Sequence, residues 1–587
     1  MICCGSFKTL WNILTKSKKR SKKTIEWRIQ KEDKELQLSL SRELNISPVL
    51  AQLLINRGLR VPSKAKKFLK ADIENLNDPD LFTGMKDAVD RIIYSFKHDE
   101  RILIYGDYDV DGLTSTALMF SVLKEFTPNI YYYIPNRFQE GYGLNEKAIE
   151  SAFKNKIKLI ITVDCGISSI YEIEKARKYG IDIVITDHHI PQGNLPCAAA
   201  VINPKCDEKY PFKELAGVGV SFKIAQALFQ RFRKKQDLLN EYLDFVALGS
   251  IADSVPLIGE NRILIKHGLK MLNQTNKAGL KALIKECKLN EGEITTRDIN
   301  YALVPRLNAA GRLEDPKLAL ELLLTESESR AKFLAKRLSE INRNRRDIGD
   351  NILREAKILA EKQIKEEDNS LLILSGDHWN QGVIGIIASR LAEEFNRPAI
   401  IISAKDGIGK GSGRSTNNFH LYKAIEQCKD ILINFGGHKH AAGIGIETKK
   451  IPDFRSRMNE MYRRFTAEKE IIPELEIDVP ILLNEISFSL INDIAVLEPF
   501  GLGNPKPLFC SYKNNIFHWR LVGEKKEHLK LKVVEKGTFL DGIGFKLAKI
   551  GTRALTNNKI VDLAFNIEIN KWNGAENIQI NIKDIKK

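Results

Sequence analysis

The sequence predicts an α/β protein: a parallel-sheet domain, a long connecting helix, a second α/β domain and a small C-terminal β-barrel. Three observations carry this. Short β-rich apolar runs alternate with helical stretches from about residue 76, the signature of a parallel sheet with helices on both faces. A stretch of about 40 residues then lacks proline and carries a near-heptad apolar stripe. From about residue 472 the pattern changes to short alternating segments such as FHWRLVGE and HLKLKVVE, which suit a barrel.

Residues 1–75 read as a basic leader followed by short helices, with breaks at Pro48 and Pro62. The leader's basic cluster follows its short apolar part, the wrong order for a secretory signal. Residues 76–326 hold the strands RILIYG, IKLIITVDCG and IDIVITDHH. SSIYEIEKARKYG between the last two is a helix that Gly180 would cap. Residues 327–366 form the long helix, with Leu334, Leu338, Ile341, Ile348, Ile352 and Leu359 on one stripe. At 1.5 Å per residue it would span roughly 60 Å, long enough to bridge two domains. Residues 367–468 form the second α/β domain, from LLILSG through GVIGIIASRLAEEF to PAIIIS and beyond, and 469–587 form the barrel.

Composition narrows the function. No run of about 18 apolar residues occurs, which argues against a membrane span. The eight cysteines contain no CxxC pair, which argues against zinc ribbons and suits a reducing, cytoplasmic setting. An excess of 91 basic over 75 acidic residues, net +16, fits a polyanionic partner but also an ordinary solvated surface.

Chemistry concentrates at the ends of the predicted strands. GDYDVDG places Asp107, Asp109 and Asp111 in the loop after RILIY. Ligands of open α/β sheets bind outside the carboxyl ends of strands. Three carboxylates so close repel one another unless cations or protons compensate. An EF-hand loop would need an acidic residue where Leu118 stands. Asp164 in VDCG ends the next strand, and Asp187-His188-His189 the one after; Asp253 lies in GSIADSVPL. A single strand-end Asp is usually a turn or cap. Three strands delivering Asp and His to one sheet edge point instead to a metal site. Carboxylate oxygens with one or two imidazoles suit Mn2+ or Mg2+, and such a set performs metal-assisted phosphoryl hydrolysis. Cys165 should face the other side of the strand and belong to the core.

GDYDVDG, VDCG, TDHH and SIADSVPL resemble, in order and spacing, the four motifs of the DHH phosphoesterase superfamily. IPNRFQEGYG, PRLNAAGR, GSGRS and GGHKHAAG are similar to segments of the RecJ exonucleases within it, and the likeness covers about residues 45 to 587. The resemblance implies that Asp109, Asp111, Asp164, His188 and Asp253 hold one or two ions, with Asp164 bridging. It gives the catalytic roles to His189, near the scissile phosphate, and to Asp107, which supports the cluster. Many superfamily members carry a His where this chain has Tyr105, which leaves the number of ions open.

The same resemblance makes the second α/β domain a DHH-associated domain and the barrel OB-like. It places Arg137, Ser412 and Arg414 on the 5′ end of a strand, Arg306 and Arg312 on backbone phosphates, and Asn308 and His438 among the substrate contacts. For KGSGRS the residues agree: glycines admit an anion to backbone N–H groups, and Arg supplies a fork. A solvated surface Arg, or for His438 a structural turn, is the plain alternative. The implied activity is 5′→3′ hydrolysis of single-stranded DNA to 5′-mononucleotides in recombination and repair. The implied partners are single-strand-binding protein and a helicase, and the implied state is a monomer. Phe517, Trp519, Lys530 and Lys532 are candidate strand contacts on the barrel.

Overall fold

The computed structural model describes residues 25–587 except 142, 192, 368–369, 417–418, 468–473, 536, 557–558 and 573–574. The first part of the basic leader therefore lies outside the described residues. The chain divides into two compact units: Leu59–Phe465 with Ala495–Lys506, and the N-terminal residues through Gly58 with Thr466–Ile494 and Pro507–Lys587.

The first unit opens with a five-stranded parallel sheet: β1 (Arg101–Gly106), β2 (Ile130–Tyr133), β3 (Ile157–Val163), β4 (Asp182–Thr186) and β5 (Ala200–Ile202), in the spatial order β2-β1-β3-β4-β5. The central strands β1, β3 and β4 are buried on both faces. Ile102 and Ile104 face one apolar cluster, while Leu103 and Tyr105 face another. This is why the runs are continuously apolar rather than alternating. Helices α1 (Val110–Lys124), α2 (Gly217–Arg231), α3 (Leu243–Ala252), α4 (Gly259–Asn273) and α5 (Val304–Leu313) surround the first cluster.

The long helix α6 runs Glu328–Glu366, with Ser327 Oγ accepting the Arg330 N–H as its N-cap. Its first half gives Leu334, Leu338 and Ile341 to the core under the parallel sheet. Its second half gives Ile352, Ala356 and Ala360 to a separate core beneath a second sheet. The apolar stripe does not continue to Leu359, which is 39% exposed. An α-helix has 3.6 residues per turn, so a 3.5-residue stripe drifts off the buried face, and Ala356 and Ala360 take it over.

The second sheet is mixed: β6 (Leu372–Gly376), β7 (Ala399–Lys405), β8 (Ile408–Arg414), β9 (Leu432–Gly437) and β10 (Ala441–Glu447), in the order β9-β10-β8-β7-β6. Only β6 and β7 pair in parallel, joined by α7 (Ile384–Phe395).

The other unit is built on a five-stranded barrel: β11 (Phe509–Val522), β12 (His528–Glu535), β13 (Thr538–Gly544), β14 (Ile560–Trp572) and β15 (Ala575–Lys586). The ladder runs β11-β12-β13-β15-β14 and closes where β14 pairs with β11, which removes both sheet edges. Phe517 and Phe539 lie on its surface in edge-to-face contact at 5.5 Å, with Lys532 over the Phe539 ring.

Truncating fully buried Leu338 to Ala should cost about 2–5 kcal/mol, whereas Ile358→Ala, at a residue 69% exposed, should stay within about 0.5 kcal/mol. Denaturant midpoints of the two variants check this.

Candidate metal centre

Strand register builds the site. Gly106 of β1 lies opposite Val163 of β3, and Val163 opposite Thr186 of β4. The residues that follow, Asp107, Asp164 and Asp187, therefore stand side by side along the carboxyl edge. Asp164 adopts a left-handed conformation at φ 63, which turns the chain sharply off the strand. Gly217 allows this: a Cβ there would come within 2.6 Å of the Asp164 Cβ.

Two further carboxylates arrive on α1. Asp109 caps it, Oδ1 accepting the N–H groups of Asp111 (2.9 Å) and Gly112 (3.2 Å). Asp111 lies in the first turn, and its carboxylate accepts the Gly217 (2.7 Å) and Val218 (2.9 Å) N–H groups that open α2. A helix N-terminus supplies such unpaired donors and a favourable dipole. Asp253 follows the last turn of α3. His188 stands between them: Nε2 is 3.0 Å from Asp164 Oδ1 and 3.8 Å from Asp111 Oδ2, and Nδ1 is 3.7 Å from Asp253 Oδ2. Among the described residues, three sets bring ligand atoms within 4.8 Å of one another: Asp107/Asp109/Asp164, Asp111/His188/Asp253 and Asp164/His188/His189.

Burial and mutual repulsion govern the protons. Burial, then Asp109, holds the Asp107 carboxyl well above its ordinary value. Burial, then Asp111, does the same to Asp164. Asp111 is pushed up to about 7 by burial and Asp253, and Asp253 to about 7 by burial and Asp109. Burial lowers His188 to about 4, leaving a neutral imidazole, the form that ligates metal. Asp187 behaves differently. Burial opposes its charge, but the hydrogen bond and charge of His189 outweigh it and hold the carboxyl below its ordinary value. Its Oδ1 accepts the N–H groups of His188 (2.7 Å) and His189 (3.1 Å) and lies 2.8 Å from His189 Nδ1. Burial works against protonated His189, yet the Asp187 bond and charge raise its pKa above the ordinary value.

The residues fit a divalent ion. Asp107 Oδ1 is buried with no hydrogen-bond partner among the described residues, and the raised carboxyl pKa values mark a cluster that lacks positive charge. Hard oxygen donors with one imidazole match Mn2+ or Mg2+. Tyr105 plays no part in this set. Its hydroxyl donates to Gly143 O at 2.8 Å and its ring is buried in the opposite core, with Cys165 beside it.

A cavity of about 320 Å³ opens over the cluster, lined also by Arg137, Asn308 and Arg312. Asn308 Oδ1 accepts the Val110 N–H at 3.3 Å, and Arg312 donates to Gly382 O at 3.1 Å. Burial, then Arg137 and Arg345, lowers the Arg312 pKa to about 10. Arg137 also lines a neighbouring cavity of about 620 Å³ together with Ser412. Arg414 donates to Ser412 Oγ (3.2 Å) and Gly413 O (2.8 Å). Arg306, Arg414 and His438 line neither cavity. Arg306 donates to Ser339 Oγ (2.9 Å) and Ala302 O (2.8 Å), which ties it to α6. The His438 N–H donates to Ala441 O at 2.7 Å, a turn bond, while its ring is close enough to feel the charge of His189. Sequence reasoning named Asp187 at its strand end without giving it a role, and passed over Tyr108 and Arg345. Asp187 orients His189, Tyr108 carries Arg137 over its ring at 5.2 Å, and Arg345 adds to the charge around Arg312. The TDHH triplet was a signal for the first; nothing in the sequence marked the other two.

Family models match three regions: the DHH family N-terminal domain at 101–250, the DHHA1 domain at 368–464 and the RecJ OB domain at 477–584. The chain is 39% identical over 565 residues to the single-stranded-DNA-specific exonuclease RecJ of Bacillus subtilis, covering 95% of this chain and 70% of that protein. It is 36% identical over 581 residues to RecJ of Escherichia coli, covering 95% and 99%. This chain belongs to the RecJ family. Thermus thermophilus RecJ in complex with Mn2+ superposes with a TM-score of 0.83 at 27% identity, covering 96% of this chain and 80% of that one. The Mg2+ complex of the same protein gives 0.77 at 26%, covering 96% and 78%.

Asp111 and Asp253 titrate near 7 in the metal-free protein, against roughly 4 in an unfolded chain. The folded state binds these protons more tightly, so metal-free stability should fall as pH rises from about 4 to about 7. Mn2+ must displace the same protons, so its affinity should rise with pH across that window. Calorimetry at pH 6.5 in buffers of different ionisation enthalpy should detect proton release; none would contradict the assignment.

Proposed function

We propose that this chain is a metal-dependent exonuclease that hydrolyses single-stranded DNA from the 5′ end and releases 5′-mononucleotides. The observation that carries the reading is the juxtaposition, in one cavity, of the Asp/His cluster with Arg137 and Arg312. Asp109, Asp111, Asp164, His188 and Asp253 would hold one or two Mn2+ or Mg2+ ions, with Asp107 behind them. When bound, the metal would polarise the scissile phosphate and make water nucleophilic at neutral pH. The protein's own groups do the rest. Asp187 fixes the His189 ring and favours its imidazolium, which can give a proton to the leaving O3′. Arg312, in its buried position, meets phosphate charge with little competition from water.

The strand's 5′ end would lie toward Ser412 and Arg414, reached past Arg137, which lines both cavities. A terminal anchor at fixed reach from the cluster accounts for stepwise release. Asn308 would serve the phosphates near the cluster. Arg306 and His438 would act from its margins. In this reading residues 76–326 carry catalysis, 327–366 the connection, 367–468 the 5′ anchor, and 469–587 a further single-strand contact through surface aromatics such as Phe517. Residues 1–75 lie outside the chemistry. The six described cysteines are free thiols, which suits a reducing cytoplasm, and no described helix is long and apolar enough to cross a membrane. Work as a monomer beside a helicase and single-strand-binding protein, in recombination and repair, completes the proposal.

A labelled-strand ladder tests it. A long 5′-phosphorylated strand should shorten stepwise with Mn2+, a 5′-blocked one should not, and Asp109→Ala and His189→Ala should each lower the rate at least about 100-fold. Survival of hydrolysis in both variants would move the active site elsewhere. Cleavage restricted to two-to-five-nucleotide substrates would replace the polymer reading. Arg414→Ala should flatten the slope of log affinity against log salt by about 0.7, the loss of one single-strand phosphate contact. An unchanged slope would place Arg414 away from phosphate.

A further inference from the structure

Asp253 is the cluster residue with the weakest local anchoring. It follows α3 directly, its side chain is 33% exposed, and the next residue, Ser254, is left-handed at φ 58. The loop Ser254–Ile258 then leads to α4. What packs on that loop comes from far along the chain. Leu257 N–H donates to Leu502 O at 2.7 Å. A Cβ on Gly501 would come within 2.7 Å of Leu257 Cδ1. Gly503, at φ +74, sits so that its Cβ would stand 3.2 Å from Pro256 Cβ and 3.3 Å from Ile258 Cγ2. Three consecutive residues, 501–503, thus lie against 256–258.

The covering segment is itself locked. Asn504 is fully buried and donates Nδ2 to Leu497 O (2.7 Å) and Pro499 O (2.9 Å). Gly501 and Asn504 exchange backbone hydrogen bonds at 2.9 and 3.1 Å. Arg262 of α4, 1% exposed, donates to Leu497 O (2.7 Å) and Val496 O (3.1 Å), and its third bond goes to Phe68 O (2.8 Å). Thr296 Oγ1 donates to Phe500 O at 3.1 Å. A loop that merely covered surface would not need a buried amide satisfied on both donors or a buried guanidinium spent on its carbonyls.

We propose that residues 496–506 form a positioning strap that fixes the Ser254–Ile258 loop and so holds Asp253 toward His188. The strap rests on the reading of Asp253 as a metal ligand, and it acts on the metal only through that residue. Groups that orient a ligand typically change metal affinity about 10–100-fold when removed.

A double-mutant cycle on the full chain tests this, with Mn2+ affinity read from the electron paramagnetic resonance signal of free Mn2+. Asn504→Ala should weaken Mn2+ binding about 10-fold. Its KM for a single strand, measured at saturating Mn2+, should move less than about twofold, since the strap is proposed to act through Asp253 and not on the substrate. In the Asp253→Ala background the Asn504 change should have no further effect on Mn2+ affinity, because the strap would have no ligand to position. Additive losses, or wild-type affinity in folded Asn504→Ala, would overturn the proposal. If Asn504→Ala does not fold by circular dichroism, Gly501→Ala, which pushes on Leu257 from the same side, runs the same cycle. Wild-type affinity in Asp253→Ala alone would instead remove the ligand assignment, and the strap with it.

Discussion

Five carboxylates and an imidazole converge at the carboxyl edge of the parallel sheet, and the repulsion among the carboxylates constrains everything around them. Two like charges 4 Å apart cost about 4 kcal/mol near a protein surface and more in a drier site. Asp111 is met by the two N–H groups that open α2, and Asp109 by the first turn of α1. Gly217 is required because α2 must start directly against Asp164. The negative charge that remains is what a divalent ion would neutralise, so the repulsion within the cluster favours metal binding.

Opposite charge is arranged in sequence across the cavity. Carboxylates occupy its floor, while Arg137 and Arg312 line it as well. In the proposed reading a phosphodiester there would meet positive charge from the ions the carboxylates would hold and from the guanidinium groups. The Asp187–His189 pair is the proposed counterpart for the leaving group. Asp187 keeps its charge despite burial because His189 and backbone N–H groups bond to it, and the Asp187 bond and charge in turn raise the His189 pKa above its ordinary value.

Much of this was legible in the sequence because its signals are local. Apolar runs ending in Asp mark strands whose ends carry chemistry, and the absence of proline marks the long helix. Where the signal depends on remote packing it failed. Leu359 obeyed the heptad pattern yet is exposed, because the stripe drifts off the buried face of the helix and Ala356 and Ala360 meet the second core instead. Arg306 sits in the same segment as Asn308 and Arg312, but on a helix neighbouring residues face different ways, and its guanidinium turned to Ser339.

The sequence by itself determined the order and type of the elements, the candidate acidic and imidazole ligands, and through them the class of chemistry. These follow from periodicity and residue type, which each segment carries within itself. Only the tertiary structure decided the rest. It set the register that aligns Asp107, Asp164 and Asp187, gave Asp111 its helix-start donors, turned Tyr105 into the opposite core, and laid residues 501–503 on the loop behind Asp253. Those contacts join residues as far apart in the chain as Pro256 and Gly503, and no local pattern encodes them.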